Sequence, residues 1–179
     1  MSRDTVVAKR YAKALFELAQ QSGKVAEFEN ELGLVAQAVA GDAQVSKFLE
    51  TPNIASDVKS EIMKSALTGR VSDDVLRSVE LLIGRGRIGI TEELYEAYKK
   101  IAGEALGQAD ATIYTSHKLS DDELGKVAAQ FGAIIGKKVR ATQVERPELL
   151  GGIQVRIGDR LYDGSLSGKL ERLEKSLKA

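Results

Sequence analysis

Apolar residues in the first hundred positions recur at spacings of three and four, the period of helices that bury one face. The pattern predicts a first helix near residues 4–21 and a second near 24–40, with Val25, Phe28, Leu32, Val35 and Val39 on one stripe. Asp42 is placed to cap a brief third helix carrying Val45, Phe48 and Leu49, which Pro52 ends. Ser56 is expected to cap a fourth, holding Val58, Ile62, Met63, Ala66 and Leu67, with Gly69 as its stop. Ser72 opens a fifth with Val75, Leu76, Val79, Leu82 and Ile83, and Thr91-Glu92-Glu93 opens a sixth with Leu94, Tyr95, Tyr98, Ile101 and Ala105. Six helices joined by short connections predict a bundle.

Near Gly107 the period changes. Ala111 to Thr115 reads as a strand, and Ser120-Asp121-Asp122-Glu123 is a capping box for a helix holding Leu124, Val127, Phe131 and Ile134. Val139 to Val144 alternates as a second strand. Ile153, Val155 and Ile157 then alternate with Gln154 and Arg156, Gly158-Asp159 turns the chain, and Leu161-Tyr162 starts back. Asp163-Gly164-Ser165 opens a last helix with Leu166, Leu170, Leu173 and Leu177 on one face. The expected fold class is α+β: a six-helix bundle over residues 1–106, then a small α+β domain over 107–179 with a short sheet and a C-terminal amphipathic helix.

Composition narrows the function classes. The chain of 179 residues balances 26 basic against 26 acidic side chains, which argues against nucleic-acid binding by counterion release. It has no cysteine, so no disulfide framework and no thiolate chemistry. No segment approaches the roughly 20 apolar residues that cross a bilayer. Lys9, Arg10 and Lys13 break the N-terminal apolar run, so no secretory signal is read there. Membrane association is expected only through other proteins, without direct insertion.

Few residues suggest chemistry. Gly84-Arg85-Gly86-Arg87-Ile88-Gly89 satisfies G-x-G-x-x-G, and a nucleotide-binding enzyme using this turn is the alternative reading. Against it, the apolar residues before the turn fall at helical spacing, and Asp110 opens a strand where a ribose-binding acid would end one. A helix C-cap and turn explain the glycines equally well. His117 has no second histidine or cysteine with which to share a metal. Asp121, Asp122 and Glu123 suit a helix start, and Asp159 and Asp163 suit turns. No catalytic residue, metal site or cofactor is expected.

The two terminal helices are the informative ones. In the first, Lys9, Arg10, Lys13, Glu17 and Gln20 fill a polar sector about 100° wide, and the arc from Ala14 through Leu18, Tyr11, Leu15, Ala8, Ala19 and Ala12 to Phe16 is apolar for about 200°. One core needs a stripe of about 100° or somewhat more. Either this helix is buried on two sides, or one side lines a groove for an amphipathic partner. The last helix sets Lys169, Arg172, Lys175 and Lys178 around its leucines. At least two of the leucines are expected to pack on the small sheet, and the face suits a helical partner.

Motifs at both ends point to one family. Leu150-Gly151-Gly152-Ile153, Ile157-Gly158-Asp159, Asp163-Gly164-Ser165 and Leu170-Glu171-Arg172-Leu173, together with Ala8-Lys9-Arg10-Tyr11-Ala12-Lys13-Ala14-Leu15, resemble the signature of the ATP synthase delta subunit. The mitochondrial counterpart in that family is the oligomycin sensitivity conferral protein, and the resemblance spans essentially the whole chain. It implies a non-catalytic stator subunit of an F-type, proton-translocating ATP synthase, a monomer within a hetero-oligomer. Such a subunit is held at the cytoplasmic face of the cell membrane through its partners. In the family a groove between the first and fifth helices receives the N-terminal helix of an alpha subunit of the catalytic head, with beta as a further partner. The resemblance places that groove at Tyr11, Ala14, Leu15 and Leu18, with Val79, Ile83 and Gly86 opposite. It places the b-stalk contact on Leu166, Leu170, Leu173 and Leu177. Leu15→Asp is expected to leave the fold intact and abolish head binding.

Overall fold

The computed structural model describes residues 3–178, which form two compact units that part between Ala102 and Gly103. In the first unit, α1 (Arg3–Gln21), α2 (Val25–Ala40), α3 (Ala43–Glu50), α4 (Ser56–Leu67), α5 (Asp73–Gly84) and α6 (Thr91–Ala105) follow the predicted order. A 3-10 turn, Ile88–Ile90, which the sequence did not reveal, joins α5 to α6. The α3 cap forms as expected, the Asp42 carboxylate accepting from the Gln44 N–H at 2.7 Å. One other expected cap does not form, because Ser56 is already inside α4. Ser72 opens α5 as expected, at the N-cap position, with its hydroxyl bonded to Glu31 at 2.6 Å.

Buried residues from all six helices make a single core. Ala8, Ala12 and Ala19 of α1 bring its backbone close to the larger Phe28, Leu32, Val35, Leu94 and Tyr98. The Tyr98 ring lies fully inside, where its hydroxyl donates to the Val25 carbonyl at 3.0 Å. Burial, with the Glu29 and Glu31 carboxylates adding to it, pushes this phenol well above its ordinary pKa. Lys59 is buried too, its ammonium donating to the Thr51 carbonyl at 2.7 Å and so closing the α3–α4 connection.

The second unit begins inside the last turn of α6 rather than after residue 106. Gly103 lies against the Gln108 carbonyl, 3.3 Å from where a Cβ would stand, so that turn packs on the following strand. β1 (Gln108–Thr115), α7 (Asp121–Ile135), β2 (Lys138–Glu145), β3 (Ile153–Ile157), β4 (Arg160–Asp163) and α8 (Leu166–Lys178) complete the chain. The sheet runs β2-β1-β3-β4, with β1 and β2 parallel and the other pairs antiparallel. α7 is the crossover that a parallel pair requires, and Ser120 and Glu123 close its capping box. Its Leu124, Val127 and Phe131 cover Ala111, Ile113 and Val155, and Phe131 meets Tyr162 edge-on at 5.4 Å. On the other face Arg140 pairs with Asp110, its register neighbour across β1–β2, at 2.9 and 3.2 Å.

Candidate partner-docking surfaces

α1 is buried along one side of its wide apolar arc and partly open along the other. Ala8, Ala12, Leu15 and Ala19 lie about 20–80° round the helix and are buried in the bundle. Beside them, within about 60° of arc, Val7 and Tyr11 are half-buried and Ala14 and Leu18 exposed, spaced 4, 3 and 4. This second row is the open apolar edge, and Leu18 keeps 46% of its surface. Of the seven residues assigned to a groove, Tyr11, Ala14 and Leu18 therefore lie on a surface. Leu15 is 3% exposed, and Val79 and Ile83 are core residues as well, because their faces of α1 and α5 turn inward. Gly86 is exposed in the turn after α5 at φ +62°, a left-handed position that explains its lack of a side chain. Val7 was missed, although the same 4-3-4 spacing would have found it.

The glycine-rich turn has no dinucleotide geometry. Residues 79–83 lie inside α5, not on a strand, and Asp110 is paired with Arg140. A cleft of about 720 Å³ borders the turn, and its lining mixes the carboxylates of Asp4, Glu50 and Glu93 with the cations of Lys59 and Arg87, so it presents no built phosphate cradle. The enzyme alternative loses its structural support here. Among the described residues no group of three or more histidine, cysteine, aspartate or glutamate side chains could hold a metal ion, and no helix is long and apolar enough to cross a membrane.

α8 is anchored at one end only. One oxygen of Asp163 accepts from the Ser165 N–H at 2.9 Å and from its hydroxyl at 2.6 Å, and that hydroxyl accepts from the Gly168 N–H at 3.1 Å. These bonds hold the Asp163 carboxyl below the usual range, the Ser165 hydroxyl contributing most. Gly168 has no room for a Cβ, which would stand 2.3 Å from the other Asp163 oxygen, and it is the one buried residue among those described in α8. Beyond this turn the helix leaves its unit. Leu166, Leu170, Leu173 and Leu177 are 48 to 79% exposed, so the expectation that two of them pack on the sheet is corrected. Helical geometry puts their strip about 170° round from Gly168, facing away from the anchor.

The strip has a neighbour that sequence reasoning overlooked. Leu150 closes the 3-10 turn Pro147–Leu149 at φ 62°, ψ −33°, a conformation that costs a non-glycine residue, and it is 65% exposed. The Leu166 N–H donates to the carbonyl of the adjoining Gly151 at 2.9 Å, which brings the turn to the base of α8. Gly152 secures the join, since a Cβ there would stand 2.5 Å from the Gly164 carbonyl oxygen. The only forewarning was the Gly151-Gly152 pair.

Known proteins resemble this one along its length. The sequence model of a family described as ATP synthase delta (OSCP) subunit matches residues 7–177. Identity to the ATP synthase subunit delta of Brevibacillus brevis is 38% over 167 residues, covering 93% of this chain and 95% of that one. For the Shouchella clausii protein it is 40% over 174 residues, covering 97% and 96%. For that of Bacillus cereus it is 40% over 173 residues, covering 96% of each. A chain in the structure of the Toxoplasma gondii mitochondrial ATP synthase hexamer shares the fold, with a TM-score of 0.75 at 17% identity over 96% of this chain and 97% of that one.

Proposed function

The chain belongs to the ATP synthase delta (OSCP) subunit family, and from that premise we propose that it is the non-catalytic connector between the catalytic head and the peripheral b stalk of an F-type ATP synthase. The first unit takes the N-terminal helix of an alpha subunit on the α1 edge of Val7, Tyr11, Ala14 and Leu18. The second unit takes the b-stalk helices on the α8 leucine strip, continued by Leu150. Proton flow turns the rotor, and this connection keeps the head from turning with it. ATP synthesis proceeds on other subunits, and the protein sits at the cytoplasmic face of the membrane through its partners.

One observation carries the reading: α8 leaves a 4-3-4 leucine row largely in solvent opposite its buried Gly168, and α1 leaves a partly exposed 4-3-4 apolar row beside its buried face. Burying the exposed parts of the four α8 leucines contributes about 3–7 kcal/mol, at roughly 1.5–3 kcal/mol per fully buried side chain. Nanomolar attachment needs about 12 kcal/mol net of association costs. One strip is too little, and two attachments on one chain gain from effective concentration.

The test uses two variants of the full chain. Leu18→Asp is expected to abolish binding of a peptide carrying the alpha N-terminal helix. Leu170→Asp with Leu173→Asp is expected to abolish binding of a peptide from the C-terminal end of the b stalk. Both should keep the wild-type circular dichroism, because all three residues are exposed. If both variants bind both peptides as tightly as wild type, the surfaces are misassigned.

A further inference from the structure

We propose that the Asp163–Gly164 bond is a latent modification site, at which the chain isomerises to isoaspartate whenever the root of α8 opens. The inference goes beyond the connector reading and rests on it only for the consequence to stalk docking. Asp163 is the one aspartate or asparagine in the 179 residues that is followed by glycine. Without a Cβ, glycine leaves its amide nitrogen accessible and its backbone free to turn inward. That nitrogen attacks Cγ of the protonated Asp163 carboxyl and closes a five-membered succinimide. The new C–N bond forms as the amide proton and the carboxyl hydroxyl leave as water. Water then opens the ring at either carbonyl. Attack at Cγ restores aspartate, and attack at the main-chain carbon leaves the backbone running through Cγ, as isoaspartate. No oxidant, cofactor or second protein is consumed.

The closed root holds both reacting groups. The Gly164 N–H donates to the Ile153 carbonyl at 3.0 Å, at the point where β4 ends. One Asp163 oxygen accepts from the Ser165 N–H and hydroxyl, and these bonds keep the carboxyl ionised, a poor electrophile. The other oxygen stands 2.3 Å from the position of a Gly168 Cβ, so the carboxyl abuts the helix it anchors. The same contacts seat α8, so the reaction stops while the helix is seated and runs when it lifts. The product does not fit the closed root. Isoaspartate lengthens the backbone between β4 and α8 by one carbon and moves the free carboxylate to Cα, away from Ser165. Gly152 leaves no slack for this, since a Cβ there would stand 2.5 Å from the Gly164 carbonyl oxygen. Each event therefore leaves α8 without its anchor.

The test incubates the full chain for weeks in warm, neutral buffer beside an unstructured peptide of residues 159–170. Isoaspartate is counted by methylation with a protein isoaspartate methyltransferase and placed by electron-transfer fragmentation. The chain should react at residue 163 about 10–100-fold more slowly than the peptide, because only its locally opened fraction is competent. Ser165→Ala frees the carboxyl and should speed the chain about tenfold, measured against the same substitution in the peptide, with β1 amides still exchanging as in wild type. Asp163→Glu, which cannot close the five-membered ring, should give no signal at this position. The isomerised fraction should fail to bind the b-stalk peptide that unreacted chain retains. A chain that forms no isoaspartate at 163 while the peptide does overturns the proposal. So does a chain as fast as the peptide, a rate that Ser165→Ala leaves unchanged, or isomerised chain that binds the stalk peptide like wild type. If unreacted chain never binds that peptide, the connector reading fails and the isomerisation rates still decide the proposal.

Discussion

Replacing Leu150 separates backbone strain from side-chain burial at the base of α8. The left-handed side of conformational space costs an L-residue roughly 1–2 kcal/mol, and glycine escapes that cost while losing about 0.5–1 kcal/mol more backbone entropy on folding. The side chain is 65% exposed, so truncation forfeits about a third of a leucine's burial, roughly 0.5–1 kcal/mol. Leu150→Ala keeps the strain and loses the burial, and is expected to destabilise the second unit by about that 0.5–1 kcal/mol. Leu150→Gly loses the same burial but relieves the strain, and should fall within about 0.5 kcal/mol of wild type. Glycine therefore exceeds alanine by up to about 1 kcal/mol, the reverse of their order in an ordinary helix or strand. Hydrogen exchange of the β1 and β3 amides reads the second unit by itself. Both variants should weaken docking of the b-stalk peptide equally, since both remove the leucine. If the alanine variant proves as stable as the glycine one, the backbone at residue 150 carries no strain and the reasoning fails.

Three further outcomes follow from buried or bonded groups. Leu15→Asp, once expected to spare the fold, places a carboxylate in the bundle core and should cost at least about 3 kcal/mol, seen as early loss of helical circular dichroism, whereas Leu18→Asp should stay within about 0.5 kcal/mol of wild type. The Thr115 hydroxyl is buried without a hydrogen-bond partner, so Thr115→Val should raise the stability of the second unit by about 1 kcal/mol, measured by exchange at β1. Asp163 binds Ser165 as a carboxylate, so its folded pKa is depressed. Its contribution is present above the ordinary value of about 4 and drains away as pH falls through the depressed one. Urea midpoints of Asp163→Asn should therefore lie below wild type at neutral pH and approach it in acid, and a gap that stays constant with pH would refute this.

Periodicity alone located the helices of the first unit and the strands of the second, because a stripe of apolar residues dictates which element can bury it. It could not say what covers each residue. Val79 and Ile83 are apolar on paper in the same way as Leu18, yet two sit in the core and one in water. Capping was legible where the partner is local, at Asp42 and Ser120, and misread at Ser56, which already lies inside α4, while the bond from the Ser72 hydroxyl to Glu31, forty-one positions away, left no local sign. A three-residue turn such as Ile88–Ile90 is too short to show any period. The leucine face of α8 was visible from its spacing, but not its 48 to 79% exposure, which follows from only Gly168 in the opening turn being buried against the body of the unit.

That single point of attachment sets where tension would concentrate. A pull along α8 reaches the sheet through the links among Asp163, Ser165 and Gly168 and the bond from Leu166 to Gly151, with Gly164 tied to the Ile153 carbonyl at the end of β3. These links are few, short-range and clustered, whereas the β1–β2 ladder behind them is eight residues long. Overload would therefore break these links first and then load β4, the edge strand covalently continuous with α8 and paired over only four residues, before it reached that ladder.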